Sequence, residues 1–144
     1  MNGNSAAIPD PIQEWILEAR KAAKQAHCPY SRFPVGAVLG DLQGNKFLGC
    51  NIENASFGLT LCAERTAAAT AIQLGSREWS SLVIVSPTAV APCGACRQFL
   101  IEFVPDLEIW LAGLEDSVPV RKTRLQWLLP DAISRSDVRS VHGG

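Results

Sequence analysis

The 144-residue chain has no surplus of basic charge: 13 lysines and arginines stand against 14 acidic residues, for a net charge of -1. Without a basic field nothing holds a polyphosphate backbone, which argues against nucleic acid as a partner. The chain also has no apolar run approaching the roughly 20 residues that cross a bilayer. Its start has neither a basic segment nor a sustained apolar one, because Ala6, Ala7 and Ile8 stop at Pro9. Five cysteines, an odd number, exclude a fully paired disulfide framework. The expectation is a protein of the reducing cytoplasm, without a membrane partner, whose clustered cysteines bind metal or do chemistry. Repeats, low-complexity blocks and dividing linkers are missing too.

What is present suits one core. Hydrophobic residues make up 47% and charged residues 19%, mean hydropathy is +0.10, and a chain of this length buries roughly 70% of its unfolded surface. The apolar surplus points to subunit burial. Residues 1–10 read as a flexible tail and 11–144 as a single domain. Ile12, Trp15, Ile16, Ala19, Ala23 and Ala26 recur at helical spacing behind Asp10 as N-cap and Pro11 in the first turn. Two short apolar segments, 33–39 and 46–51, flank turn chemistry at 40–45 and predict a hairpin. A helix is expected over 62–74, with Ala63, Ala67, Thr70, Ala71 and Leu74 as a narrow stripe and Gly75 ending it. Strands are expected at 82–85 and 107–111, a helix at 94–104 after Pro92, an edge strand at 117–120, a short helix at 125–129 and a polar tail beyond.

The chemistry concentrates in Cys62-Ala63-Glu64 and, thirty residues later, Pro92-Cys93-Gly94-Ala95-Cys96. Taken alone, Cys-x-x-Cys fits a redox pair, half a zinc ribbon or two buried thiols, and Glu64 alone fits an acid complementing a helix dipole. Jointly, each half heads an expected helix. If the two N-termini meet, three thiolates surround one ion and leave an open fourth position, the mark of a catalytic rather than a structural zinc. Three thiolates weaken zinc as a Lewis acid. Two helix dipoles and Arg65, placed to donate to the sulfurs, offset that charge. Glu64 is a poor co-ligand, two residues from Cys62, but in a splayed first turn its carboxylate reaches a water at the metal.

This Cys-x-Glu plus Pro-Cys-x-x-Cys arrangement resembles the known zinc-deaminase signature. With the runs 29–37, 49–56, 62–67 and 92–98, the chain is similar to the small, homotetrameric cytidine deaminases, from the first helix to Leu129. Cys62, where the larger dimeric relatives carry histidine, and the single domain's worth of chain favour the tetrameric branch. The resemblance implies an α/β fold, three-layer α/β/α with a mixed five-stranded sheet. It implies zinc-dependent hydrolytic deamination of cytidine and deoxycytidine to uridine, deoxyuridine and ammonia in pyrimidine salvage. Cys62, Cys93 and Cys96 would bind zinc, Glu64 would shuttle protons, and Arg65 would offset thiolate charge. Asn51 and Glu53 match the pair that holds the ribose 3'-hydroxyl, Phe33 matches the aromatic packing on the pyrimidine, and the Ala63 N–H would anchor the base carbonyl. Without the resemblance, Asn51 and Glu53 read as a polar turn pair and Phe33 as a core ring. Cys28 and Cys50 read as structural thiols, His27 and His142 as surface groups, and the tryptophans as core or interface.

The chain departs from the family's pattern at Phe57, where tyrosine is usual, at Ile133, where phenylalanine is usual, and in the loop 86–92, which lacks the usual acidic residue. Alternatives are a deaminase of a modified cytosine nucleoside such as blasticidin S, opposed by the Asn51-Ile52-Glu53-Asn54 run, and a catalytically silent zinc-stabilised homologue, opposed by Glu64.

Overall fold

The computed structural model describes residues 7–142; of the expected tail, Met1 to Ala6 lie outside the described residues. Helix α1, Asp10–Ala23, starts one residue earlier than the sequence suggests: Pro9 is the N-cap, its carbonyl accepting the Gln13 amide, and Asp10 sits inside the first turn without a side-chain cap bond. Ile12, Ile16, Ala19 and Ala23 form its buried stripe. Ala26 falls past the helix end, where three-residue backbone bonds tighten the chain before His27 bridges to Ile52.

The expected hairpin is β1, Gly36–Asp41, and β2, Lys46–Cys50, with five paired positions. The strand does not extend back to Phe33, because Pro34 lacks an N–H and the polar groups of Phe33 and Val35 are bonded to the Asn51 side chain. Helix α2 is Ala63–Gln73, and its chain exits through Gly75 at φ +89°. The buried face comprises Ala63, Glu64, Ala67, Ala68 and Ala71; Thr70 and Leu74, expected in the stripe, point to solvent. Close approach is required here, since a Cβ on Gly49 of β2 would collide with the Ala63 carbonyl and Thr66 Oγ1.

Strand β3, Trp79–Ser86, leads through a loop to α3, Gly94–Ile101, and on to β4, Glu108–Gly113. Helix α3 stops three residues short of the expected end because the Phe103 and Val104 amides both turn onto the Leu100 carbonyl ahead of Pro105. The edge strand is not 117–120. It is β5, Arg121–Arg124, paired antiparallel with β4, while Pro119 and the seating of Val118 against Gly113 keep the earlier segment out of the ladder. Helix α4, Leu125–Leu128, follows as expected. The polar tail instead forms α5, Arg135–Arg139, stabilised by a capping box between Ser134 and Asp137.

The sheet order is β2-β1-β3-β4-β5, parallel only between β3 and β4, whose crossover carries α3. Period-two alternation splits the core. Val38, Val83, Val85, Trp110 and Ala112 face α1, while Ala37, Leu39, Leu82, Ile84, Ile109 and Leu111 face α2, α3 and α4. The result is the mixed five-stranded, three-layer arrangement. No helix among the described residues is long and apolar enough to cross a membrane.

Candidate metal centre and active site

Two of the thiols are N-caps. Cys62 precedes α2 and Cys93 precedes α3, both in extended backbone conformation, and Cys96 is one turn into α3. The three sulfurs lie within 4.8 Å of one another, with Cys62 and Cys93 Sγ 3.7 Å apart. Three soft, mutually adjacent donors on rigid helix ends, with no fourth protein ligand among the described residues, suit a tetrahedral zinc with an open position. Both helix dipoles direct partial positive charge at the sulfurs.

The Arg65 guanidinium donates to Cys62 Sγ at 3.6 Å and to the Thr60 carbonyl at 3.3 Å, while its Nε is buried without a partner among the described residues. A hydrogen bond from the Cys96 thiol, with further support from Arg65 and Cys93, pulls the Cys62 thiol well below the usual range against its burial. The same bond to Cys62, together with burial and the Glu64 charge, pushes Cys96 up. The hydrogen bond to Cys62 in turn raises Arg65 above its usual range.

Glu64 is only 5% exposed, a rare position for a carboxyl. Its Oε2 lies 3.8 Å from Cys96 Sγ. Burial, with the Cys62 charge adding, pushes the carboxyl up to about 7, near the pH at which a general acid and base works best. A cavity of about 180 Å³ is lined by Glu64, Cys62, Cys93, Ala63, Asn51, Val35, Thr60, Val90 and Ala91. Ala63, the first residue of α2, presents an amide that has no partner within its helix.

The structure thus brings Cys62, Cys93, Cys96, Glu64, Arg65, Ala63 and Asn51 together. The other two candidates lie around this group. Glu53 Oε1 accepts the Tyr30 and Ser31 amides at 3.0 and 3.1 Å, and bonding from Ser31 holds its carboxyl below the usual range. It lines a neighbouring depression of about 340 Å³ with Tyr30, Ser31, Phe57 and Thr60. Phe33 is half-buried and does not line the 180 Å³ cavity; Val35 does. The Phe33 carbonyl accepts Asn51 Nδ2 at 2.9 Å, while Asn51 Oδ1 accepts the Val35 amide at 2.8 Å.

Val35, Thr60, Val90 and Ala91 were not singled out in the sequence. The usable signal for Val90 and Ala91 was position, since they join the end of a buried strand to the Pro-Cys motif. Their loop turns at Ala89, φ +53°, and is held by Ser86 Oγ to the Val90 amide and by Arg121 to the Ala89 carbonyl. Cys28 and Cys50 stay half-buried outside the triad, burial pushing Cys50 up. A larger depression of about 510 Å³ at the β1–β2 turn contains no thiol, and its buried Asp41 is already occupied by Gln43, Asn45 and Ser76.

Three thiols and a buried carboxyl on converging helix ends define a metal centre equipped for proton transfer. The family model for the cytidine and deoxycytidylate deaminase zinc-binding region matches residues 9–110. A cytidine deaminase from Sporosarcina psychrophila is 42% identical over 130 residues, 88% of this chain and 94% of the relative. The crystal structure of cytidine deaminase from Burkholderia pseudomallei superposes with a TM-score of 0.80 at 44% identity, covering 84% of this chain and 98% of that one. Cytidine deaminase from Mycobacterium tuberculosis superposes at 0.73 with 36% identity, covering 88% and 98%. The chain belongs to the zinc-binding cytidine and deoxycytidylate deaminase family.

Proposed function

We propose that the protein hydrolyses cytidine and deoxycytidine to uridine and deoxyuridine with release of ammonia, as a cytoplasmic homotetramer in pyrimidine salvage. The observation carrying this reading is the Glu64 carboxyl, buried beside the three sulfurs and facing the same cavity as Cys62 and Cys93. Cys62, Cys93 and Cys96 hold the zinc, which when bound supplies the Lewis acidity that lets water attack at neutral pH. Glu64 carries a proton from the attacking water to ring N3, leaving C4 electrophilic. It then moves the remaining proton of the added hydroxyl to the 4-amino nitrogen, so that ammonia departs. Arg65 offsets the charge of the thiolates.

A 180 Å³ cavity is smaller than the roughly 300–1,000 Å³ of most small-molecule sites, so it suits the base and leaves the sugar outside. The Ala63 amide donates to the base carbonyl, and Phe33, outside the cavity lining, orients Asn51 through its carbonyl. The sugar falls between Asn51 and the adjoining depression, where Glu53 keeps one carboxylate oxygen uncommitted to the backbone. Exposed Tyr30, Phe57, Leu59 and Leu61 around that rim support subunit burial. The test is an ultraviolet assay on cytidine and deoxycytidine, with metal content measured on the same sample. Turnover of both nucleosides by zinc-loaded protein is expected. Turnover by metal-free protein, or none of either nucleoside by the loaded protein, refutes the reading, and a monomer in sedimentation refutes the assembly.

A further inference from the structure

Arg97 and Gln98 close the Pro-Cys-x-x-Cys motif without a part in the chemistry described so far. Arg97 uses its fork on two distant carbonyls. Nε donates to the Pro92 carbonyl at 2.7 Å and Nη1 to the Leu128 carbonyl at 2.7 Å, while its own amide donates to the Cys93 carbonyl at 3.0 Å. Both peptide groups flanking Cys93 are therefore held by one residue. Cys93 needs that support: Cys96 is buried and Cys62 half-buried, but Cys93 is exposed, so side-chain packing does not fix it. The second arm ends on the last residue of α4, a helix-terminal carbonyl with no partner inside its helix. Gln98 Nε2 holds the Ile133 carbonyl at 3.1 Å, and its side chain makes no hydrogen bond to the Pro92 loop among the described residues.

We propose that Arg97 is a positioning residue for Cys93, clamping the least packed of the three thiols and thereby setting how long zinc is retained. The inference rests on the zinc reading of the thiol triad. The planar fork is what allows two carbonyls in different directions to be held at once; a lysine ammonium on its flexible stem does not reproduce it. Groups that orient metal ligands are typically worth 10–100-fold in metal affinity.

The experiment measures zinc release to a chromogenic chelator from wild type, Arg97→Ala, Arg97→Lys and Gln98→Ala, with the charge-transfer and d–d spectra of the cobalt-substituted proteins. Arg97→Ala is expected to release zinc about tenfold faster or more and to change the cobalt spectrum. Arg97→Lys should retain the defect, and Gln98→Ala, which frees only the C-terminal segment, should match wild type in both readouts. Should Arg97→Ala not fold, Arg97→Lys against Gln98→Ala carries the same comparison. Unchanged release and spectrum in folded Arg97 variants overturn the proposal, as does equal acceleration in Gln98→Ala, which would assign the effect to C-terminal packing. A wild type that takes up no zinc overturns the metal reading as well, so the two failures are distinguishable.

Discussion

The two faces of the sheet are built from alternate residues of the same strands and serve different ends. On one, α1 lays Ile12, Ile16 and Ala19 over Val38, Val83, Val85 and Trp110, an apolar layer, whereas Glu64, a buried ionisable group, lies on the other. On the other, α2 meets the sheet through alanines at 63, 67, 68 and 71, all fully buried. Bulk on the first face fills volume. Small side chains on the second let a helix end come close enough to set Cys62 beside Cys96 with the buried Glu64, where a low local dielectric strengthens their interaction.

The largest expected effect breaks the second face chemically without disturbing its packing. Glu64→Gln keeps shape and zinc content but should lose about 10²–10⁴-fold in turnover, checked by kcat and metal analysis on one preparation; near-normal kcat would remove Glu64 from the reaction. The converse change belongs to the first face. Ile16→Ala empties a buried site and should cost about 2–5 kcal/mol in denaturant unfolding, while zinc content and turnover per folded molecule stay unchanged. A loss of zinc in this variant would show that the faces are not independent.

A smaller effect sharpens the contrast through pH. In the folded, metal-free chain Glu64 keeps its proton to about pH 7, against an ordinary value of 4.5. A raised carboxyl stabilises fully below pH 4.5 and loses that contribution as pH rises through 7. Metal-free wild type should therefore lose up to about 3 kcal/mol relative to Glu64→Gln across that interval, read from paired unfolding curves. Parallel curves would mean that the carboxyl is hydrated in the folded chain.

Legibility in the sequence follows from where each interaction is decided. Helix α1, β3 and the hairpin carry their own periodicity or turn chemistry, and the thiol triad with Glu64 is legible because metal and proton chemistry admit few residue types. Strand β5 is not, because Arg-Lys-Thr-Arg has no apolar alternation. It is held by its ladder with β4, by Lys122 lying over the Trp110 ring and bonding to Glu108, and by the Arg124–Asp106 pair. Helix α5 depends on a single local motif, Ser134 with Asp137, in an otherwise polar stretch. Asn51 and Arg97 are visible as residues, but their bonds depend on where the carbonyls of Phe33, Pro92 and Leu128 arrive in space. Only folding decides that.

One of the two borders of the sheet, β5, four residues long with three cations, bears on how copies of this chain can meet. So abbreviated a border, with its cations already engaged by Glu108, Asp106 and the Ala89 carbonyl, offers too few free amides and carbonyls to template another strand. Sheet extension through that border, the route by which many β-rich chains polymerise, is thereby disfavoured, which leaves β2 as the longer of the two borders.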